Sequence, residues 1–101
     1  DLDGVFATDD LTAAGVLEWA YQRGINVPEE LKVVGFDGTT AVRRALPGLT
    51  TVAQPIAAIA QSAVELLLGQ IEAQAEGRDL FGDEPVPAVE LPVELITGRT
   101  A

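Results

Sequence analysis

Apolar and polar residues alternate along the chain with two spacings, one typical of buried strands and the other of amphipathic helices. Residues 4–7 form a short apolar run that predicts a first strand. After Asp9 and Asp10, apolar residues recur at helical spacing, which predicts a first helix that these aspartates can cap. The residues on the predicted apolar face of this helix are Ala13, Val16, Leu17, Ala20 and Tyr21. Gly24 is the predicted C-cap, and Pro28 prevents any continuation.

Two further strands are predicted in the middle of the chain. Residues 31–36 are apolar apart from Lys32, as expected for a strand covered on both faces. Residues 50–52 predict a third strand. Between them, residues 38–48 predict a loop with one helical turn at 41–45.

The last part of the chain predicts a long helix and an ending in extended structure. Pro55 suits a first helical position, and the apolar periodicity then continues to about Ala75. Residues 76–87 predict a polar loop, and residues 88–91 and 93–97 predict one or two strands broken at the proline between them. The alternation of strands and helices predicts an α/β fold with a mostly parallel sheet flanked by helices.

The length of the chain, 101 residues, is enough for one small domain. Because the chain contains no methionine and begins at Asp1, we expect a fragment or a trimmed product of a longer protein. Three or four strands and two helices make a thin core, and small cores barely outweigh the entropy of the chain. We therefore expect stability to depend on missing strands or on a second copy of the chain.

Composition removes several classes of function. Sixteen acidic and six basic residues give a net charge of −10, whereas nucleic-acid binding depends on a basic patch, so we expect no direct contact with nucleic acid. The absence of Cys and His excludes disulfides, thiolate and imidazole chemistry and Cys/His zinc sites. The sequence predicts no cofactor and no metal. There is no run of about 18 apolar residues, so we expect no membrane span.

Catalysis is not predicted either. Asp9 and Asp37 are candidates for a general acid–base pair. However, the segment GFDG at 35–38 lacks the Lys-Ser/Thr of a P-loop, and neither a G-x-S-x-G elbow nor a histidine partner is present. We therefore expect a binding protein that is not an enzyme.

Five segments resemble motifs of one family in both order and spacing. They are VFATDDLTAAG at 5–15, RGINVPEE at 23–30, KVVGFDG at 32–38, LTTVAQP at 49–55 and ELPVELITGRT at 90–100. Together they resemble the C-terminal part of the effector-binding core of lac-repressor (GalR-type) transcriptional regulators, which has a periplasmic-binding-protein-like fold. The resemblance implies that residues 1–101 are a single partial effector-binding and dimerisation subdomain, without the DNA-binding head and N-terminal lobe.

Three polar residues are candidates for effector binding. Ligands of open α/β sheets bind beyond the carboxyl ends of parallel strands, which is where Asp37 falls. Its carboxylate can accept hydrogen bonds from two sugar hydroxyls, as this aspartate does in the family, or it can simply start a turn. Gln54 ends the third strand and either reaches the same crevice or bonds to the adjacent loop. Asp9 stands where the family often has an asparagine that contacts the effector, although it can also cap the helix together with Asp10.

The acid at position 9 bears on the ligand, because it offers acceptors and no amide donor. This favours a donor-rich effector, with a sugar as the family-level expectation and nucleobases as an alternative. The family pairs its cores partly through the first helix, so Trp19 and Tyr21 are candidates for a homodimer interface, or Trp19 packs within its own chain. Arg43 and Arg44 are expected in solvent or at the junction of the two lobes.

The resulting prediction is the sugar-sensing and dimerising portion of a cytoplasmic bacterial transcriptional regulator, which contacts operator DNA only through the missing head. One alternative is a lobe of a periplasmic sugar-binding protein. Another is an oligomerisation module without a ligand. The segment LTTVAQP at 49–55 resembles regulators more than transport receptors, which favours the first interpretation.

Overall fold

The computed structural model describes residues 1–77 and 87–101, so most of the loop predicted at 76–87 lies outside the described residues. Strands and helices alternate, as the sequence predicts. The elements are β1 (Gly4–Phe6), α1 (Asp10–Gln22), β2 (Lys32–Asp37), α2 (Thr40–Ala45), β3 (Thr50–Ala53), α3 (Ile56–Ala75) and β4 (Glu94–Ile96).

The sheet has the strand order β1-β2-β3-β4. β1 pairs with β2 and β2 with β3 in parallel, whereas β4 runs antiparallel to β3. The expected α/β fold with a mostly parallel sheet is therefore confirmed. Phe6 pairs with Val34 and Asp37 with Ala53, so the carboxyl ends of the first three strands lie along one edge of the sheet.

The chain divides into two compact units. One contains Asp1–Gln54 and Val93–Ala101, and the other contains Pro55–Pro92. In the first unit α1 packs against β2. The buried apolar residues of its core are Ala7, Ala13, Ala20, Leu31, Val33 and Leu49. Half of these are alanines, so the core has little apolar volume.

Both ends of α1 are capped as the sequence predicts. Oδ1 of Asp9, the N-cap residue, accepts a hydrogen bond from the backbone N–H of Thr12 at 2.6 Å. At the other end Gly24 has a φ of 67°. The N–H groups of Gly24 and Ile25 donate to the carbonyls of Tyr21 and Ala20. This is a Schellman motif, in which the left-handed residue is usually glycine.

The C-terminal segment ties the amino ends of β2 and β3 together. The Thr100 hydroxyl donates to the carbonyl of Val33 at 2.7 Å and accepts from the N–H of Thr50 at 2.9 Å. The carbonyl of Thr100 in turn accepts from the N–H of Val33 at 2.7 Å. One residue near the end of the chain therefore satisfies backbone groups of both strands.

The strand predicted at 88–91 is wrong, since residues 87–93 carry no strand. A strand needs a partner, and the edge of β3 over Thr51–Ala53 is occupied by β4. Pro92 cannot donate a ladder hydrogen bond, which places the start of pairing after it. Pro55 also differs from expectation, because it is the N-cap of α3 and precedes the first helical residue.

The second unit contains α3, a helix of 20 residues with no buried residue. Its mean hydropathy reaches 1.3, so by length and composition alone it is long and apolar enough to cross a membrane. The chain still has no continuous run of about 18 apolar residues, because Glu65 and Glu72 lie within this helix. Core helices of proteins that never enter a membrane meet the same criterion.

Candidate functional site

The first two candidate carboxylates come from neighbouring parallel strands. Asp9 lies three residues beyond Phe6, and Asp37 lies three residues beyond Val34, the register partner of Phe6. Asp9 therefore follows the carboxyl end of β1, and Asp37 is the last residue of β2, at the same edge of the sheet, as the sequence predicts. This is the edge at which open α/β sheets bind ligands.

Gln54 joins Asp37 directly. Its side-chain Nε2 donates to Oδ1 of Asp37 at 2.6 Å, and its backbone N–H donates to the carbonyl of Asp37 at 2.9 Å. Both side chains are half-buried. Oδ2 of Asp37 has no hydrogen-bond partner among residues 1–77 and 87–101, so this carboxylate keeps an acceptor for a ligand while Gln54 fixes its orientation.

The backbone at Asp37 is unusual. Its φ is 112°, and it is the non-glycine residue with positive φ in the described part of the chain. L-residues rarely adopt such values, and those that do cluster at functional sites. Gly38 follows with a φ of 60°, and a Cβ there would lie 2.6 Å from Cα of Ala53. Two successive residues with positive φ thus turn the chain sharply against the end of β3.

Asp10 is buried beneath this turn. The residue is 1% exposed. Its Oδ2 accepts from the N–H of Gly38 at 2.8 Å, and its Oδ1 accepts from the hydroxyl of Thr51 at 2.5 Å. Burial of a carboxylate is costly unless it is hydrogen-bonded, and here both oxygens are.

The sequence predicts that Asp10 caps the helix together with Asp9, and it predicts no role for Thr51. The structure gives the cap to Asp9 alone and turns Asp10 inward. The sequence offers a signal for this, because Gly35 interrupts the apolar run of β2. In the structure, Gly35 is the register partner of the polar Thr51. Gly35 leaves the space for the carboxylate, since a Cβ at Gly35 would overlap Oδ1 of Asp10.

Asp9 carries a carboxylate that the helix keeps ionised. The backbone N–H of Thr12, and then its hydroxyl, hold the pKa of Asp9 below its ordinary value of 3.8. Asp9 is thus a helix cap in this structure, and its contact with an effector stays a prediction. With Asp37 beside it at the same edge, the site offers acceptors to hydroxyl or N–H donors and disfavours anionic ligands.

The two aromatic residues predicted at a dimer interface are both exposed on α1. They lie on opposite flanks of its buried stripe, because two residues turn a helix by about 200°. Trp19 is 45% exposed, and its ring lies under the guanidinium of Arg23, 4.7 Å from the ring centroid. Tyr21 is 82% exposed. The assignment of Tyr21 to the apolar face that contains Ala13 is therefore wrong. Eight residues turn a helix by about 80° from the starting direction, which carries Tyr21 out of the buried stripe.

Arg43 and Arg44 lie in the last turn of α2, and both are exposed. Basic side chains at this position interact favourably with the negative end of the helix dipole. Their location agrees with the solvated position that was expected for them.

Comparison with known proteins matches this geometry to a family. The family model for a periplasmic binding protein-like domain matches residues 2–101. The sucrose operon repressor of Pediococcus pentosaceus is 45% identical over 100 residues, which cover 98% of this chain and 28% of the repressor. The sucrose operon repressor of Streptococcus mutans serotype c is 40% identical over 98 residues, which cover 97% of this chain and 28% of the repressor.

A solved structure supports the same assignment. The transcriptional regulator CelR in complex with cellobiose superposes with a TM-score of 0.79 at 32% identity, covering 100% of this chain and 28% of that chain. The chain therefore spans 28% of the length of each of these relatives. It belongs to the family of periplasmic binding protein-like domains, and its resemblance to lac-repressor-type transcriptional regulators is confirmed.

Proposed function

We propose that this chain is one wall of the effector cleft, and part of the dimer contact, in a cytoplasmic bacterial transcriptional regulator. The observation that carries the proposal is the pairing of Asp37 with Gln54 at the carboxyl edge of the sheet. The paired amide orients the carboxylate and leaves one of its oxygens to accept from a ligand hydroxyl. The relatives named as sucrose operon repressors, and the regulator solved with cellobiose, support a sugar as the effector.

The negative charge of the site reduces the range of possible effectors further. Asp9 and Asp37 are both carboxylates, and the whole chain has a net charge of −10. A neutral polyhydroxylated molecule can donate to these oxygens without a charge penalty, whereas a phosphorylated sugar would be repelled. We therefore infer an unphosphorylated mono- or disaccharide.

The proposed mechanism is binding without chemistry on the effector. A sugar held between this wall and a second lobe, outside the present chain, favours one arrangement of the two lobes. Because the sugar binds that arrangement more tightly than the other, it changes the fraction of regulator molecules that can bind operator DNA. DNA contact belongs to a separate head, because this chain is strongly acidic.

The test is calorimetric titration of the full-length regulator with sucrose, cellobiose, lactose, glucose, ribose and a nucleoside. At least one neutral sugar is expected to bind, and Asp37→Asn is expected to weaken it by about tenfold or more, since hydrogen bonds to charged groups are strong. Asp3→Asn is the matched control, because Asp3 is an exposed carboxylate before the start of β1. Binding of no sugar, or equal affinities for the wild type and Asp37→Asn, would contradict the proposal.

A further inference from the structure

We propose that Asp10 is a positioning residue, which holds Asp37 in its effector-binding orientation from beneath without touching the effector. The inference rests on the proposed effector role of Asp37. The carboxylate of Asp10 is buried and does not cap α1, because Asp9 alone is the cap residue.

The link runs through a single peptide group. The N–H of Gly38 belongs to the peptide that follows Asp37, so the direction of this N–H is coupled to the backbone angles of Asp37. Oδ2 of Asp10 accepts from this N–H at 2.8 Å in a buried setting. Asp37 itself has a φ of 112°, which an unrestrained L-residue rarely adopts. Such a conformation persists only where surrounding contacts determine it.

A second contact secures the other side of the same turn. The backbone N–H of Gln54 donates to the carbonyl of Asp37, and its side-chain amide donates to Oδ1. Asp10 and Gln54 thus hold the same peptide group from its two sides, Asp10 through the N–H of Gly38 and Gln54 through the carbonyl of Asp37. Gln54 also bonds to the carboxylate of Asp37. Without Asp10, only the Gln54 side of this arrangement remains.

The local sequence makes room for the carboxylate at this point. A Cβ added at Gly35 would overlap Oδ1 of Asp10, and it would lie 3.4 Å from the Cβ of Ala13. The hydroxyl of Thr51, the register partner of Gly35, donates to that oxygen. Each oxygen of Asp10 therefore has a different role. Oδ1 bonds to Thr51 in the interior of the sheet, and Oδ2 bonds to Gly38 in the candidate site.

This separation defines the variants. Asp10→Ala removes both contacts. Thr51→Val removes only the interior hydroxyl and keeps the contact with Gly38. Asp10→Asn is the conservative rescue, because its Oδ1 can accept from Gly38 while its Nδ2 donates to the Thr51 oxygen.

The experiment uses the full-length regulator and two readouts. The first is NMR of protein labelled with ¹⁵N-glycine and ¹⁵N-glutamine, which reports hydrogen exchange at the Gly38 amide and the side-chain amide signals of Gln54 without any ligand. The second is calorimetric titration with sucrose. In Asp10→Ala the Gly38 amide is expected to lose protection, the Gln54 amide signals to shift, and the sucrose Kd to rise by about 10- to 100-fold. Thr51→Val and Asp10→Asn are expected to keep both amide signatures and a Kd within about threefold of wild type, although Thr51→Val unfolds at a lower temperature.

The outcomes are distinguishable. The inference is overturned if folded Asp10→Ala keeps the wild-type Gly38 and Gln54 signals, or if Thr51→Val weakens sucrose binding as much as Asp10→Ala does. If wild type does not bind sucrose, the sucrose assignment fails, while the amide readout still decides the positioning role. If Asp10→Ala does not fold, Asp10→Ser replaces it, because the shorter serine side chain has one oxygen and cannot replace both carboxylate oxygens that bond to Gly38 and Thr51.

Discussion

The side-chain amide of Gln54 donates to Oδ1 of Asp37 across 2.6 Å, so a residue that ends one strand fixes the carboxylate that ends its neighbour. The neutral amide is essential to this relationship, because it supplies a donor without a charge. A carboxylate at position 54 would have the same shape and the opposite effect.

Gln54→Glu is therefore expected to turn an attractive contact into repulsion between two carboxylates. Two such groups sharing a site raise the pKa of the pair in the folded state above that of the unfolded chain. The destabilisation is then fully present above the raised folded-state pKa and is relieved as the pH falls through it. Thermal unfolding from pH 4 to pH 8 should show the largest deficit of the variant at high pH. A deficit that does not change with pH would contradict the expected repulsion. Gln70→Glu, at an exposed position of α3, is the control for added charge alone.

Asp9 affects stability with the opposite sign, because its ionised form stabilises the folded state. Its folded-state pKa lies below the ordinary 3.8, because the N–H of Thr12 bonds to the ionised form. The resulting stabilisation is present above the unfolded-state pKa and is lost as the pH falls through the lower folded-state value. Asp9→Ala should lower the Tm at pH 7 and lose most of that difference in the acid range. Asp9→Asn keeps an acceptor for Thr12 without a titratable group, so its Tm difference from Asp9→Ala should be insensitive to pH.

Two glycines in and after α1 are expected to respond oppositely to alanine. Gly24 has a φ of 67° in the Schellman motif, so Gly24→Ala should cost about 1 kcal/mol of the free energy of unfolding. Gly15 lies inside the helix with nothing within 4 Å of an added Cβ, and Gly15→Ala should stabilise by about 0.5–1 kcal/mol. Urea denaturation measures both. Destabilisation by Gly15→Ala equal to that by Gly24→Ala would show that the outer side of α1 is covered by something that the methyl group meets.

The elements that the sequence predicted well are those that local patterns specify. Residues 31–36 are apolar apart from Lys32 and are followed by a carboxylate. A covered parallel strand is the structure that such a run favours. The periodicity of α1 and Gly24 likewise determine a helix and its end within a few residues. The segment at 88–91 has a similar strand-like composition, but a strand also requires a free neighbouring edge. That requirement is tertiary and does not appear in the local sequence.

The candidate site shows the same division. The predicted strand ends correctly located Asp37 and Gln54 at one edge of the sheet. The register of β2 and β3 brings the two residues into contact. The pattern could not tell which of Asp9 and Asp10 caps the helix, because adjacent helical residues differ by about 100° around the axis. Only the packing of α1 on β2 decides that Asp10 faces inward. Tyr21 was misplaced for a related reason, since the edge of an apolar stripe is uncertain by about one residue.

Thr100 is expected to be the most sensitive position near the end of the chain. Thr100→Val removes the hydroxyl that joins the Val33 carbonyl to the Thr50 N–H, and it leaves two partly buried backbone groups without that partner. We expect a loss of about 2–4 kcal/mol in the free energy of unfolding, at roughly 1–2 kcal/mol for each group. Thr100→Ser keeps the hydroxyl and should lose less than about 1 kcal/mol, as measured by urea denaturation. A loss in Thr100→Ser as large as that in Thr100→Val would contradict this prediction, because it would show that the methyl group contributes as much as the hydroxyl.

The dimer prediction depends on α1, where Trp19 and Tyr21 are exposed on opposite flanks in the single chain. The first test concerns the side that contains Tyr21. If this side forms the interface, Tyr21→Glu places a charge in it and should raise the dimer dissociation constant by about tenfold or more, because unpaired interfacial charges are costly. Analytical ultracentrifugation of the full-length regulator measures this directly. Trp19 fluorescence should also change over the dilution range in which the dimer dissociates. Glu29→Lys changes charge at an exposed position outside α1 and should leave dissociation unaltered. Equal dimerisation of Tyr21→Glu and the wild type would remove the Tyr21 flank of α1 from the interface, and unchanged Trp19 fluorescence over the same dilution range would remove the other flank.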